Sequence, residues 1–279
     1  MTSPIVTTDW LTDRLLDPTI KVIEVSAKKG DEAGYATSHI PGAINFWWKD
    51  LCWDDADRQF VTPEQLAKRL GDFGISDEDR LVLYGEPVQY GTYAFWAITM
   101  AGHPNLMVLD GGRTKWLADD LPVTDSVPET EAVEYKVHSP NEWMRLGRDN
   151  IRDNLGKEGR FLLDVRSPEE YSGERVMEHG QFDHGAERGG RIPGAQHLFF
   201  KELINDDDTF KSAEELKAKF DSVGADPEKV DEIVAYCRLS HRATLAWTAM
   251  TYILGYEGVK IYDGSWTEWG SIVGFPVER

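Results

Sequence analysis

The chain has 279 residues, 41% of them hydrophobic and 28% charged, which is enough apolar material for one or two soluble domains with real cores. A formal net charge of -19 excludes nucleic-acid backbone and anionic membrane surfaces as principal partners, because both reward a basic face. Two cysteines, Cys52 and Cys237, are too few for a disulfide framework or a four-thiolate zinc site; no metal and no cofactor are expected.

In chain order, the opening MTSPIVTTDWLTDRLL lacks a basic start, an apolar core and a small-residue cleavage site. No run approaches the roughly 18 apolar residues of a membrane span. A monomer in a reducing cytoplasm is the expectation. The short apolar runs KVIEV (21–25), RLVLY (80–84) and LMVLD (106–110) read as strands, and TPEQLAKRLGDFG (62–74) reads as a helix with Pro63 in its first turn. TDSVPETEAVEYKVHSP (124–140) is polar, carries two prolines and reads as a linker. RFLLDV (160–165), SAEELKAKFDSVG (212–224) and DEIVAY (231–236) then restart the alternation. Strands alternating with helices predict an α/β fold, a mainly parallel sheet flanked by helices in each half.

The halves say nearly the same thing. HIPGAINF (39–46) returns as RIPGAQHL (191–198), and LVLYGEPVQYGT (81–92) lines up with IVAYCRLSHRAT (233–244) at the same offset of 152. VLDGGRTKWLADDLPV (108–123) matches IYDGSWTEWGSIVGFPV (261–277) with one extra residue in the second copy. Two homologous domains are expected, residues 1–123 and 141–279, joined by 124–140.

The alignment sets Gly85 against Cys237 and Glu86 against Arg238, so only the second domain keeps a nucleophile. Cys237 follows an apolar strand and precedes the helical run ATLAWTAMTYIL, at the carboxyl end of a strand where α/β sheets place ligands. A thiol with an ordinary pKa near 8.5 is only about 3% ionised at pH 7. A tight loop, a helix N-terminus and the guanidinium groups of Arg238 and Arg242 would each stabilise the thiolate. A lone cysteine at a strand end is ordinarily a small buried hydrophobe. The flanking arginines and the thiol-less sister domain favour a catalytic role.

YATSHIPGAINF (35–46), VKIYDGSWTEW (259–269) and CRLSHR (237–242), in this order and at repeat positions, resemble the rhodanese family, specifically its tandem two-domain thiosulfate sulfurtransferases. The resemblance implies a ping-pong reaction in which Cys237 takes the sulfane sulfur of thiosulfate, releases sulfite, and passes the sulfur to a small thiophilic acceptor, cyanide or a thiol. It implies that Arg238, Leu239, Ser240, His241, Arg242 and Ala243 line the donor and persulfide site, with Arg238 and Arg242 holding the sulfonate. Asp164 resembles the family's strand-end acid, expected to pair with an arginine near the loop. Arg191 stands where the first copy has His39, and is expected either to help bind anions or to make a salt bridge at the domain interface. Trp266 and Trp269 are expected either at the domain interface, walling the pocket, or in the core. One position departs from the pattern: Glu170 in DVRSPEE stands where relatives carry a substrate-binding arginine.

His179, His184 and His197 lack metal spacing and read as surface or loop histidines, and Cys52 reads as inert. Three alternatives stay open. A phosphatase loop would read Cys-x5-Arg, whereas four residues separate Cys237 from Arg242. A 3-mercaptopyruvate sulfurtransferase would carry small uncharged residues after the cysteine. A rhodanese-like domain without activity would serve as a binding module.

Overall fold

The computed structural model describes residues 3–30, 34–176 and 186–279, and the chain divides into two compact units, Met1–Glu142 with Asp206–Thr209, and Trp143–Asn205 with Phe210–Arg279. The first unit runs β1 (Ile5–Val6), α1 (Thr8–Thr12), β2 (Ile20–Ser26), β3 (Ile44–Trp47), α2 (Trp48–Cys52), α3 (Pro63–Asp72), β4 (Arg80–Glu86), α4 (Gln89–Met100), β5 (Leu106–Leu109) and α5 (Gly112–Ala118). The second runs β6 (Arg145–Leu146), α6 (Arg148–Asp153), β7 (Arg160–Asp164), α7 (Pro168–Ser172), β8 (Gln196–His197), α8 (Ala213–Val223), β9 (Glu232–Tyr236), α9 (His241–Thr248), β10 (Val259–Tyr262) and α10 (Ser265–Trp269). No helix among the described residues is long and apolar enough to cross a membrane.

Each unit is built on a five-stranded sheet with every strand pair parallel, ordered β1-β5-β4-β2-β3 in the first and β6-β10-β9-β7-β8 in the second. The central strands are buried on both faces, which is why they read as continuous apolar runs rather than as alternating ones. Some helices start at caps the sequence provides: Thr62 and Gln65 close a capping box on α3 with Pro63 behind, and Ser212 and Glu215 close one on α8. The chain leaves β2 for β3 on one side and returns to β4 on the other, and β7, β8 and β9 repeat the move. The switch point therefore lies between β2 and β4 in the first unit and between β7 and β9 in the second.

The segment expected as a linker is strapped onto the first unit. Thr124 pairs antiparallel with His39, Val133 N–H donates to Gly71 C=O (2.9 Å), and Asp77 accepts from Lys136 N–H (3.1 Å) and bonds His138 Nε2 (3.0 Å). His103 Nε2 faces the Asp79 carbonyl (3.1 Å) and must be its N–H donor, which leaves Nδ1 to accept from Tyr135 Oη (2.6 Å) in the neutral ring. Trp266 and Trp269 lie in the second unit's own core with Tyr236, Tyr262 and Phe275.

The first unit's switch point is closed. A Cβ on Gly85 would stand 2.5 Å from Gly91 N and 3.0 Å from Pro87 O, so the turn into α4 presses directly on the backbone that aligns with Cys237. Glu86, at the position of Arg238, is tied to Arg113 Nε (2.8 Å), and Arg113 also bonds the carbonyl of Ser38. The buried Glu24 accepts from Tyr84 Oη and lies 3.5 Å from Arg113.

Candidate active site

In the second unit the corresponding turn is open enough to carry a thiol. β9 ends at Tyr236, Cys237 follows with 1% of its surface exposed, and residues 238–240 lead into α9. The loop is stapled to the start of α10: Cys237 N–H donates to Ser265 Oγ (3.2 Å), Trp266 N–H to Cys237 C=O (2.9 Å) and Thr267 N–H to Arg238 C=O (3.1 Å). Ser240 takes a left-handed conformation, φ 70°, that makes the sharp entry into the helix. Its hydroxyl donates to Asp263 C=O (2.6 Å), so its side chain locks the loop. Ser240 C=O accepts from Thr244 N–H (2.9 Å) to open the α9 ladder, and the first-turn amides before it have no acceptor within the helix. Those amides and the positive end of the helix dipole belong to residues 241–243, immediately after the thiol-bearing loop.

The two loop arginines are placed differently. Arg242 is committed to Glu170 in a bidentate pair, Nη1 to Oε2 at 2.7 Å and Nη2 to Oε1 at 2.9 Å, with Phe200's ring 5.8 Å from the guanidinium carbon. Glu170 is fully buried at the third position of α7, where its carboxylate also accepts from Ser167 N–H (3.0 Å) and its own N–H donates to Ser167 Oγ (3.3 Å). Burial alone would raise the Glu170 pKa, but the Arg242 hydrogen bonds and charge, aided by the Ser167 N–H and Arg166, hold it below the ordinary carboxylate value. Burial likewise works against the Arg242 charge, and the Glu170 bonds together with the Cys237, Glu170 and Asp164 charges outweigh it and raise its pKa. The guanidinium is thus within electrostatic reach of the thiol. Arg238 is half-buried and makes no ion pair with a described residue, and its Nη1 is buried without a hydrogen-bond partner. Leu239 is half-buried, whereas His241 and Ala243 are buried in the first turn of α9.

Behind the loop, Asp164 at the end of β7 pairs with Arg166, Oδ2 to Nη2 at 2.6 Å, both fully buried. Asp164 also accepts from Arg166 N–H (3.0 Å) and Nε (3.0 Å), and Arg166 Nη2 reaches Gly190 C=O (2.7 Å). The guanidinium lies over Trp266 at 4.6 Å, and Trp266 Nε1 donates to Arg188 C=O (2.9 Å). Asp164 therefore pairs with an arginine two residues further along its own chain, and Trp266 backs that pair from the core. Arg191 bonds Glu278 through Nε (3.1 Å) and covers Tyr171 at 4.5 Å, tying the chain's end into its own unit.

His197, expected at the surface or in a loop, is half-buried on β8, where it bonds Arg166 C=O through Nε2 (2.7 Å) and stacks on Tyr171. His179 and His184 lie outside the described residues. Burial pushes the Cys52 thiol far above its ordinary pKa against a weaker opposing pull from Arg69, which suits an inert side chain. Among the described residues no three His, Cys, Asp or Glu side chains gather as a metal site requires. Sequence reasoning passed over Arg166 and treated Glu170 only as a missing arginine. The Ser-Pro-Glu-Glu capping box was the available signal for Glu170, but it pointed to helix initiation and not to Arg242.

The family model described as Rhodanese-like domain matches the chain twice, over residues 7–119 and 148–272. The chain is 40% identical over 279 residues to the sulfur carrier protein TtuD of Thermus thermophilus, covering 99% of this chain and 96% of that protein. It is 40% identical over 281 residues to a Haloferax volcanii protein named "Putative thiosulfate sulfurtransferase", with the same coverage. Among solved structures, YnjE matches with a TM-score of 0.84 at 26% identity, over 99% of this chain and 69% of that one. A persulfide form of EanB with ergothioneine matches in fold with a TM-score of 0.85 at 24% identity, over 99% of this chain and 70% of that one.

Proposed function

The chain belongs to the rhodanese-like sulfurtransferase family, and from that premise we propose that it transfers the sulfane sulfur of thiosulfate to a thiophilic acceptor, cyanide or a thiol, through a persulfide on Cys237. The Cys237 thiolate attacks the outer sulfur, the sulfur–sulfur bond of thiosulfate breaks, and its electron pair leaves with sulfite. The acceptor then attacks the terminal sulfur of the persulfide and returns the thiolate, so one difficult transfer becomes two easier ones. The observation that carries this reading is a thiol at the β7/β9 switch point, on a loop that opens a helix and is flanked by Arg238 and Arg242. Hydrogen bonds from a guanidinium and first-turn amides to the departing sulfonate strengthen as its charge grows, which favours the transition state.

Mass spectrometry of the purified protein after thiosulfate tests the reading. A gain of about 32 mass units on the Cys237 peptide, removed by cyanide, is expected. No adduct at Cys237 would overturn it. A monoanionic donor such as 3-mercaptopyruvate is the second reading, favoured by one observation: Glu170 offsets the Arg242 charge, so the loop is less cationic than its sequence suggests. Side-by-side kcat/KM values with the two donors decide between them. The name of the TtuD relative supports holding the persulfide for delivery to an acceptor.

A further inference from the structure

Sulfur transfer through Cys237 assigns no part to Glu170, yet this carboxylate is fully buried and spends both oxygens on Arg242, 72 residues away in sequence. Its place is fixed from the other side as well, because Oε2 accepts from Ser167 N–H within the capping box that starts α7. The pair occupies the end-on edge of the guanidinium, Nη1 and Nη2. The side-on edge, Nε–H with the second Nη2–H, has no partner among the described residues.

We infer that Glu170 is a positioning residue for the donor: it grips one edge of Arg242 so that the other edge is held ready for the anion reacting at Cys237, and it cancels the arginine's charge, so that recognition relies on directed hydrogen bonds and not on surplus positive charge. This rests on the sulfur-transfer reading for its donor. An arginine has two donor edges, each presenting a parallel pair of N–H bonds that fits a carboxylate or oxyanion, which lysine lacks, so one edge can be anchored while the other works. The charged groups acting on the pair are Arg166 on Glu170, and Cys237 and Asp164 on Arg242, with Phe200 covering the guanidinium.

Two variants of the full chain test the assignment. Glu170→Gln keeps the shape but breaks the fork and frees the arginine's charge. Its expected signature is a split: KM for thiosulfate falls several-fold, kcat falls ~10- to 100-fold, and the pH profile of Cys237 alkylation by iodoacetamide moves down by about one unit. Arg242→Lys keeps both charges and loses both edges, so kcat falls by a similar ~10- to 100-fold factor while the alkylation profile stays in place. A Glu170→Gln protein with unchanged kcat, KM and alkylation profile overturns the inference. So does a parallel loss of all activity that only tracks the unfolded fraction in a melting curve. Should Glu170→Gln fail to fold, Arg242→Lys decides: full turnover there overturns the inference. Alkylation needs no sulfur donor, so a shifted profile in a protein that forms no persulfide from thiosulfate would sink the donor reading and leave the grip of Glu170 on Arg242 standing.

Discussion

At the scale of single residues, Cys52 and Cys237 are equally hidden from solvent, so exposure does not distinguish them; their surroundings do. Cys52 sits in apolar packing that suppresses its thiolate, whereas Cys237 shares its field with the Arg242 guanidinium. Cys237→Ala should abolish persulfide formation and transfer while costing no more stability than Cys52→Ala, on the order of 1 kcal/mol. Cys52→Ala should retain most turnover and lose on the order of 1 kcal/mol of stability from lost packing; an inactive Cys52 variant beside an active Cys237 variant would reverse the assignment. Asp164→Ala strands Arg166 as a buried charge and should destabilise the second unit by about 3–5 kcal/mol, read from urea unfolding. A loss below 1 kcal/mol would mean that Arg166 finds another partner. Cys237 and its flanking arginines were legible in the sequence because strand, loop and helix are contiguous there. The Glu170–Arg242 pair was not, because nothing local couples residues 72 positions apart until α7 and α9 meet.

At the scale of elements, both copies use the same turn from strand to helix, but only one leaves room for a side chain. In the first unit the space is closed by backbone, Gly91 N at 2.5 Å and Pro87 O at 3.0 Å from a Cβ on Gly85, and backbone does not yield as a flexible side-chain tip would. Gly85→Cys should therefore fail to create a second persulfide site in a Cys237→Ala background and should lower the melting temperature by several degrees. Thiosulfate-dependent labelling of the new cysteine would show that the turn opens easily. The central strands and the capped helices α3 and α8 were readable from apolar runs and start signals. The two-residue strands β1, β6 and β8 were not, since so short a stretch has no periodicity of its own and is defined only by the neighbour it pairs with. The segment 124–140 read as a linker because it is polar. Its backbone and histidine contacts with the first unit replace a hydrophobic stripe that sequence reading looks for.

At the scale of the whole molecule, charge and pH act on stability through identifiable groups. With 49 acidic and 30 basic residues the folded chain repels itself, so its melting temperature should rise with sodium chloride over the first few hundred millimolar as screening shortens. The same field opposes an anionic donor, so kcat/KM for thiosulfate should rise with moderate salt; a steep fall would point to long-range cationic steering instead. His103, which anchors Tyr135 of the strapped segment, has its pKa lowered to about 4 by burial, ahead of smaller opposing contributions from hydrogen bonding and nearby acids. The unfolded chain takes up this proton near pH 6.5 and the folded one only near 4, so stability declines as pH falls through that window, by at most about 3 kcal/mol, and levels off below it. Urea midpoints at pH 7 and 4.5 should differ less in His103→Asn than in the unmodified protein. The closed turn at Gly85 also sets how the two copies differ as scaffolds: a side chain there needs the backbone at Pro87 and Gly91 to move first, so exchanging one residue does not turn the first copy into the second.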